Sequence, residues 1–240
     1  MIRLILVALF LLVYFIFSIP MFLIELIVGR FSKSAKAKSS QWIVCNLGFK
    51  PILFLSGVRL TVKGLENVPK DQPVLYVGNH RSYFDIVIGY TLAKNNTGFV
   101  AKKSMEKLPF ISVWMKFINC QFLDRDNIKE GLKTILKCIE LIKEDTSIWI
   151  FPEGTRSPGD EMLPFKEGSF KIAEKTCCPI VPVAITDTEE IFENHMPRIR
   201  GTKVTFTFGE PIDIKSMDKD TRRHLGTHVQ EIIKQMLEAN

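Results

Sequence analysis

The run from Leu4 to Ile24 holds twenty-one residues without a charge, interrupted only by Ser18 and Pro20. About 20 apolar residues are enough to cross the hydrocarbon core of a bilayer, so this surface must go into lipid or against the protein's own core. A secretory signal has a shorter apolar stretch followed by small residues at a cleavage point. That pattern is absent here, and the run reads as an uncleaved anchor. Arg30, Lys33, Lys36 and Lys38 follow the run, against Arg3 before it, and this bias of basic residues places the rest of the chain on the cytoplasmic side of a membrane. Two geometries stay open: a helix that spans, or, because of Pro20 and Glu25, a kinked helix lying partly in one leaflet.

A second apolar stretch, Trp42 to Leu55, contains Lys50 and Pro51 and is too short and broken to span. Trp42, Phe49 and Phe54 beside a basic segment suit a helix at the membrane surface, while a core helix of a globular domain fits the same residues. After Gly57 the pattern changes to short β-rich runs alternating with helical ones. Strands are expected at 58–63, 74–77, 99–101, 121–123, 147–151, 180–185 and 204–208, and helices at 85–93, 104–118, 127–143, 169–175 and 221–237. The expected fold is α/β: a mixed, mostly seven-stranded sheet flanked by helices over residues 58–240, behind an N-terminal hydrophobic membrane-anchoring helical segment over residues 1–57.

A chain of 240 residues with a net charge of +6 buries a substantial core and suits anionic partners, whether phospholipid head groups, phosphorylated substrates or nucleic acid. Charge alone does not choose among them. The five cysteines at 45, 120, 138, 177 and 178 are odd in number and lack zinc spacing, which argues against a disulfide framework or a metal site and for a reducing compartment.

Four blocks carry chemistry. In the first, Asn79 to Asp85, a buried strand ends in a polar loop that opens a helix. His80 there is a candidate general base, and Asp85, five residues on, a candidate to hold its ring in one tautomer. The plainer reading is that Ser82 and Asp85 form a capping box. A second block runs from Phe99 to Phe110: Lys102 and Lys103 could meet a phosphate, or simply face water as most lysines do. In the third, Phe151-Pro152-Glu153-Gly154-Thr155-Arg156-Ser157, a turn after a strand presents Glu153, Thr155 and Arg156 at one rim. The Arg156 fork suits a phosphate, and a purely structural role would require an acidic partner nearby. The fourth, Ile180 to Ala184, reads as a buried strand.

In order and spacing these blocks resemble the glycerolipid acyltransferase family, and within it the bacterial 1-acylglycerol-3-phosphate acyltransferases. The likeness covers about residues 58–212. The family's N-H-x4-D block matches Asn79, His80 and Asp85, and its F-P-E-G-T-R-S block matches Phe151 to Ser157 without a change. One departure is Ser112, where the family usually has glycine. The resemblance implies that His80 activates a glycerol hydroxyl for attack on an acyl thioester, with Asp85 orienting it and no acyl-enzyme formed. It also implies that Arg156, with Lys102 or Lys103, holds the acceptor's phosphate and that Glu153, Gly154 and Thr155 line the acceptor site, with Glu153 on its glycerol. The implied partners are lysophosphatidic acid, acyl-CoA or acyl-carrier protein as co-substrate, and a phospholipid membrane, with no further cofactor, no metal and no nucleic acid.

Overall fold

The computed structural model describes residues 1–159 and 161–239. The apolar run forms part of a single helix, α1 (Ile2–Phe31), that continues through Pro20. Ser32 caps the next helix, α2 (Lys33–Ile43), by accepting from the Ala35 N–H at 3.1 Å. A π-helical stretch, Val44–Phe49, leads into α3 (Lys50–Ser56), which ends at Gly57 with φ +72°. These segments fold back antiparallel along α1: Lys36 lies against Gly29, and Gly57 against the Arg3 guanidinium. Glu25, the one acidic residue of α1, turns into this contact and accepts from the hydroxyls of Ser39 (2.8 Å) and Ser40 (2.9 Å). A buried carboxylate needs such donors, so Glu25 fixes which face of α1 meets α2.

The remaining chain builds strands β1 (Arg59–Lys63) and β2 (Leu75–Gly78), helix α4 (Tyr83–Leu92), β3 (Thr97–Lys102), helix α5 (Ile111–Phe117), β4 (Gln121–Leu123), helix α6 (Ile128–Lys143) and β5 (Ser147–Ile150). Helix α7 (Lys171–Thr176), β6 (Ile180–Thr186), β7 (Lys203–Phe208), α8 (Lys219–Arg223) and α9 (Leu225–Glu238) follow. The sheet order is β1-β7-β6-β2-β5-β3-β4. The strands from β6 to β4 are mutually parallel, whereas β7 runs antiparallel to β6 and parallel to β1. All seven strands match the expected ones to within two residues at either end, and the mixed sheet flanked by helices is as expected.

Helices cover both faces, which explains why β2 reads as a continuous apolar run. Tyr76 points into a cluster shared with α1, the α2–α3 arm, α4 and α5, while Leu75 and Val77 point into a second cluster with α6, α7 and α9. The N-terminal segment is therefore part of the core: Val7, Val44 and Ile52 are buried with Phe99 and Trp149. Trp114 of α5 donates its indole N–H to Ser18 of α1 at 2.9 Å, and Phe22 meets Trp114 and Phe117. The core-helix reading of Trp42 to Leu55 holds for Val44, Cys45 and Ile52, while Trp42 and Phe54 remain outside it, exposed.

Two expected helices are broken. The stretch 104–118 divides into a 3₁₀ turn, Lys103–Lys107, and α5. Between them Phe110 has φ +60° and ψ −53°, with the Ile111 N–H donating to the Pro109 carbonyl at 2.6 Å. This is a γ-turn of the strained, positive-φ form. The Phe110 ring stacks on Phe15 and Phe22 of α1, which holds the turn. Ser112, the departure noted above, sits in the first turn of α5 and needs no unusual backbone. The stretch 221–237 divides at His224, where Glu167 supplies acceptors to the Gly226 and Thr227 N–H groups at the start of α9.

Candidate active site

Because β2, β5 and β3 are parallel neighbours, the loops leaving their carboxyl ends meet at one edge of the sheet, where open α/β sheets bind ligands. The loop after β2 carries His80. Its Nδ1 lies 2.7 Å from Oδ2 of Asp85, and the same oxygen accepts from the Arg81 and Ser82 N–H groups, each at 2.8 Å. Thr188 donates its hydroxyl to the other oxygen at 2.5 Å. Asp85 is fully buried, and its oxygens meet the two backbone N–H groups, the Thr188 hydroxyl and, in the tautomer that leaves Nε2 bare, the Nδ1–H of His80. The capping box is also present at α4, with Ser82 accepting from the Phe84 N–H. One carboxylate thus starts the helix and orients the imidazole. Nε2 has no hydrogen-bond partner among the described residues, which leaves its lone pair available to a substrate hydroxyl. The ring lies flat on Phe151, 4.2 Å between centroids.

The loop after β5 clamps the same histidine from the backbone side. The His80 N–H donates to Oε1 of Glu153 at 2.7 Å, and the Ser157 N–H donates to the His80 carbonyl at 2.8 Å. Oε2 of Glu153 accepts from the Ser157 hydroxyl and from the Leu163 N–H at 2.8 Å. Glu153 is buried, and both of its oxygens are engaged by the protein. In the structure the residue fixes the loop that fixes His80. Gly154 closes the turn, donating to the Phe151 carbonyl at 3.0 Å with φ +77°, a conformation that favours glycine.

Arg156 has the acidic partner that a structural role requires. Its Nη1 lies 2.9 Å from Oε1 of Glu193, and its guanidinium stacks 4.0 Å over the Tyr83 ring. Glu193 also accepts from the Ser82 hydroxyl (2.7 Å) and the Tyr83 N–H (2.8 Å), so it ties Arg156 to the His80 loop. The fork is still about a third exposed and lines a recess of about 290 Å³ with Arg81, Thr155 and Ser157, which leaves donors for an anion. Lys102 and Lys103 lie at the end of β3, two strand spacings from β2, or roughly 10 Å. Lys103 is exposed and paired with Glu106 at 3.4 Å, and Lys102 is exposed.

An apolar cavity of about 200 Å³ lies beneath this edge, lined by Phe99, Ala101 and Met105 on one side and by Leu11, Tyr14 and Ile52 of the N-terminal segment on the other. Phe151 connects His80 to Phe99 on its wall. A cleft of about 580 Å³ opens between α2 and the loops at the opposite edge of the sheet and contains none of these groups. Sequence reasoning missed Thr188 and Glu193. Both lie over a hundred residues beyond their partners Asp85 and Ser82, and no local pattern marks them.

A histidine oriented by a buried carboxylate, with arginine and lysine side chains and an apolar cavity near it, is an arrangement suited to base-assisted group transfer on an amphiphile. The acyltransferase family model matches residues 59–186, and the chain belongs to that family. It is 30% identical over 206 residues to the 1-acyl-sn-glycerol-3-phosphate acyltransferase of Saccharomyces cerevisiae, covering 85% of this chain and 67% of that one. The enzyme of the same name from Borreliella burgdorferi is 31% identical over 198 residues, covering 82% and 79%. The crystal structure of the 1-acyl-sn-glycerophosphate acyltransferase of Thermotoga maritima superposes with a TM-score of 0.79 at 27% identity, over 99% of this chain and 96% of that one.

Proposed function

We propose that this protein transfers a fatty acyl group from an acyl thioester to the sn-2 hydroxyl of 1-acylglycerol-3-phosphate, giving phosphatidic acid. The observation that carries this reading is the His80–Asp85 pair, with Nε2 unpartnered among the described residues, between a recess that holds the partly exposed Arg156 fork and an apolar cavity reached through Phe151. Nε2 takes the hydroxyl proton as the oxygen attacks the thioester carbonyl. Asp85 stabilises the imidazolium, which returns the proton to the departing thiolate. The C–S bond breaks as the ester C–O bond forms, and no cofactor beyond the acyl-CoA or acyl-carrier co-substrate is needed. The acceptor's phosphate sits in the recess against Arg156, with Lys102 or Lys103 adding charge from the β3 side. An acyl chain enters the cavity that α1 helps to line.

The membrane supplies both acceptor and solvent for product. Ile5, Leu9, Leu12, Ile16, Leu23 and Ile27 of α1 are exposed, although the helix packs on the domain along its length. A helix held sideways in this way cannot stand across a bilayer without carrying polar backbone and side chains into lipid. The N-terminal arm therefore lies in the cytoplasmic leaflet with the site at its surface, and the basic residues from Arg30 to Lys38 favour anionic lipid by about 1 kcal/mol each. The test is an assay of acyl-thioester consumption by membranes containing the protein. Consumption should rise strongly on adding lysophosphatidate and vanish in His80→Ala. Equal consumption with and without acceptor would assign the site to hydrolysis instead.

A further inference from the structure

Helix α6 carries a feature that the acyl-transfer site does not use. Its inner face buries Thr134, Cys138, Ile139 and Ile142, yet Ile128, Leu132 and Leu136 face outward, 90%, 58% and 50% exposed. Positions i, i+4 and i+8 lie on one face of a helix, so the three form a continuous apolar stripe. Lys129, Lys133 and Lys137 each follow one of them and are exposed, which gives the stripe a cationic border. The acidic residues Glu140 and Glu144 are at its far end. Apolar groups placed this way on an exposed helix mark an interaction surface, and the lysines call for an acidic partner.

The position of the stripe narrows that partner. Helix α6 packs with α7 and α9 on the cluster across the sheet from the α1–α3 arm, so the stripe faces away from the surface that meets lipid. Its amino-terminal end follows β4, whose carboxyl end lies on the same edge as His80. Within the helix, Lys133 pairs with Glu130 at 2.6 Å. The adjoining strand β3 and the turn after it contribute Val100, Ala101 and Met105 to the apolar cavity.

We propose that the Ile128–Leu132–Leu136 stripe and its lysine border are the docking surface for the protein-borne acyl donor, an acidic carrier whose thioester-bearing arm reaches round the β4 edge to the cavity. This rests on the acyl-transfer reading above and names the donor's binding face. The acidic residues of the carrier pair with Lys129 and Lys137, while Lys133 is held by Glu130, and the carrier's apolar centre covers the three aliphatic side chains.

The experiment compares palmitoyl-acyl-carrier protein with palmitoyl-CoA as donors to lysophosphatidate, using the full chain and the Leu132→Glu and Lys129→Glu/Lys137→Glu variants. All these side chains are exposed, and glutamate is a good helix former, so folding is preserved. The expected result is a fall of about 10-fold or more in kcat/KM for the carrier-borne donor, with palmitoyl-CoA turnover unchanged. An equal fall with both donors, or none with either, would overturn the proposal. So would loss of co-sedimentation with vesicles of phosphatidylglycerol and phosphatidylethanolamine, which would make the stripe a membrane contact. A wild-type protein that uses palmitoyl-CoA but not the carrier-borne donor overturns the docking surface alone, and one that uses neither overturns the acyl-transfer reading with it.

Discussion

At the scale of single residues, Asp85 shows how a short motif can carry two meanings that are both true. The S-x-x-D spacing announces a helix cap, the structure contains the cap, and the same carboxylate holds Nδ1 of His80. Asp85→Asn should leave α4 folded, since an amide oxygen still accepts from backbone N–H groups, but it ends the preference for the Nδ1–H tautomer. Turnover at saturating substrate is expected to fall about 10² to 10⁴-fold with the circular dichroism spectrum unchanged; a variant within a few-fold of wild type would remove Asp85 from the mechanism. Arg156 behaves differently because it already has a counter-charge in Glu193. If it also meets the acceptor's phosphate, Arg156→Ala raises the KM for lysophosphatidate about 10 to 100-fold, the equivalent of one charge-assisted hydrogen bond of about 1.5–3 kcal/mol. A KM for the thioester donor that rises equally would instead show general damage to the Ser82–Tyr83 loop. The sequence named His80, Asp85, Glu153 and Arg156 as a group. It could not show that Glu153 faces inward, because its partners at His80 and Leu163 depend on how two strand ends come together.

At the scale of elements, strands were more legible than helix ends. Each strand is short, apolar and closed by turn residues, so pattern and burial agree; a helix end depends on the partner that caps it. Asn127 caps α6 from within the local sequence, by accepting from the Lys129 and Glu130 N–H groups, and that start was readable. The break at Phe110 is set by rings of α1 nearly a hundred residues earlier and was not. The α1–α2 pair offers the clearest energetic test. Glu25 lies in an apolar helix only because Ser39 and Ser40 donate to it. Replacing both serines by alanine leaves a buried carboxylate with lost donors, at a cost of about 1–3 kcal/mol for each. Thermal unfolding in detergent micelles should shift downward, and the further change Glu25→Gln should recover part of the loss because the neutral amide is easier to bury. No recovery would mean that the carboxylate reaches water in the native state.

At the scale of the molecule, the boundary expected near residue 57 marks a change of composition more than a division of the fold. Gly57 ends the helical arm, yet the arm and the sheet share one hydrophobic cluster. Hydropathy announces that a segment is apolar but does not say whether lipid or protein covers it, which is why the run from Leu4 to Ile24 left spanning and in-plane geometries open. The structure bears on that choice through the direction of the chain. The Arg3 guanidinium lies against Gly57 and Gly201, beside the start of β1 and β7, so the amino terminus sits against the same domain that carries His80. A spanning helix would leave the terminus on the far side of the bilayer, about 30 Å away. A membrane-impermeant maleimide offered to a cysteine added at position 2 in sealed, right-side-out vesicles should therefore fail to react until the vesicles are opened, in parallel with the exposed native Cys177. The native Cys120 and Cys138 stay silent in both cases, because burial pushes their thiols up to about 11 and about 12 and keeps them from reagent. Labelling at position 2 in intact vesicles, with Cys177 still protected, would show that α1 crosses the membrane and that its packing along the domain is released there.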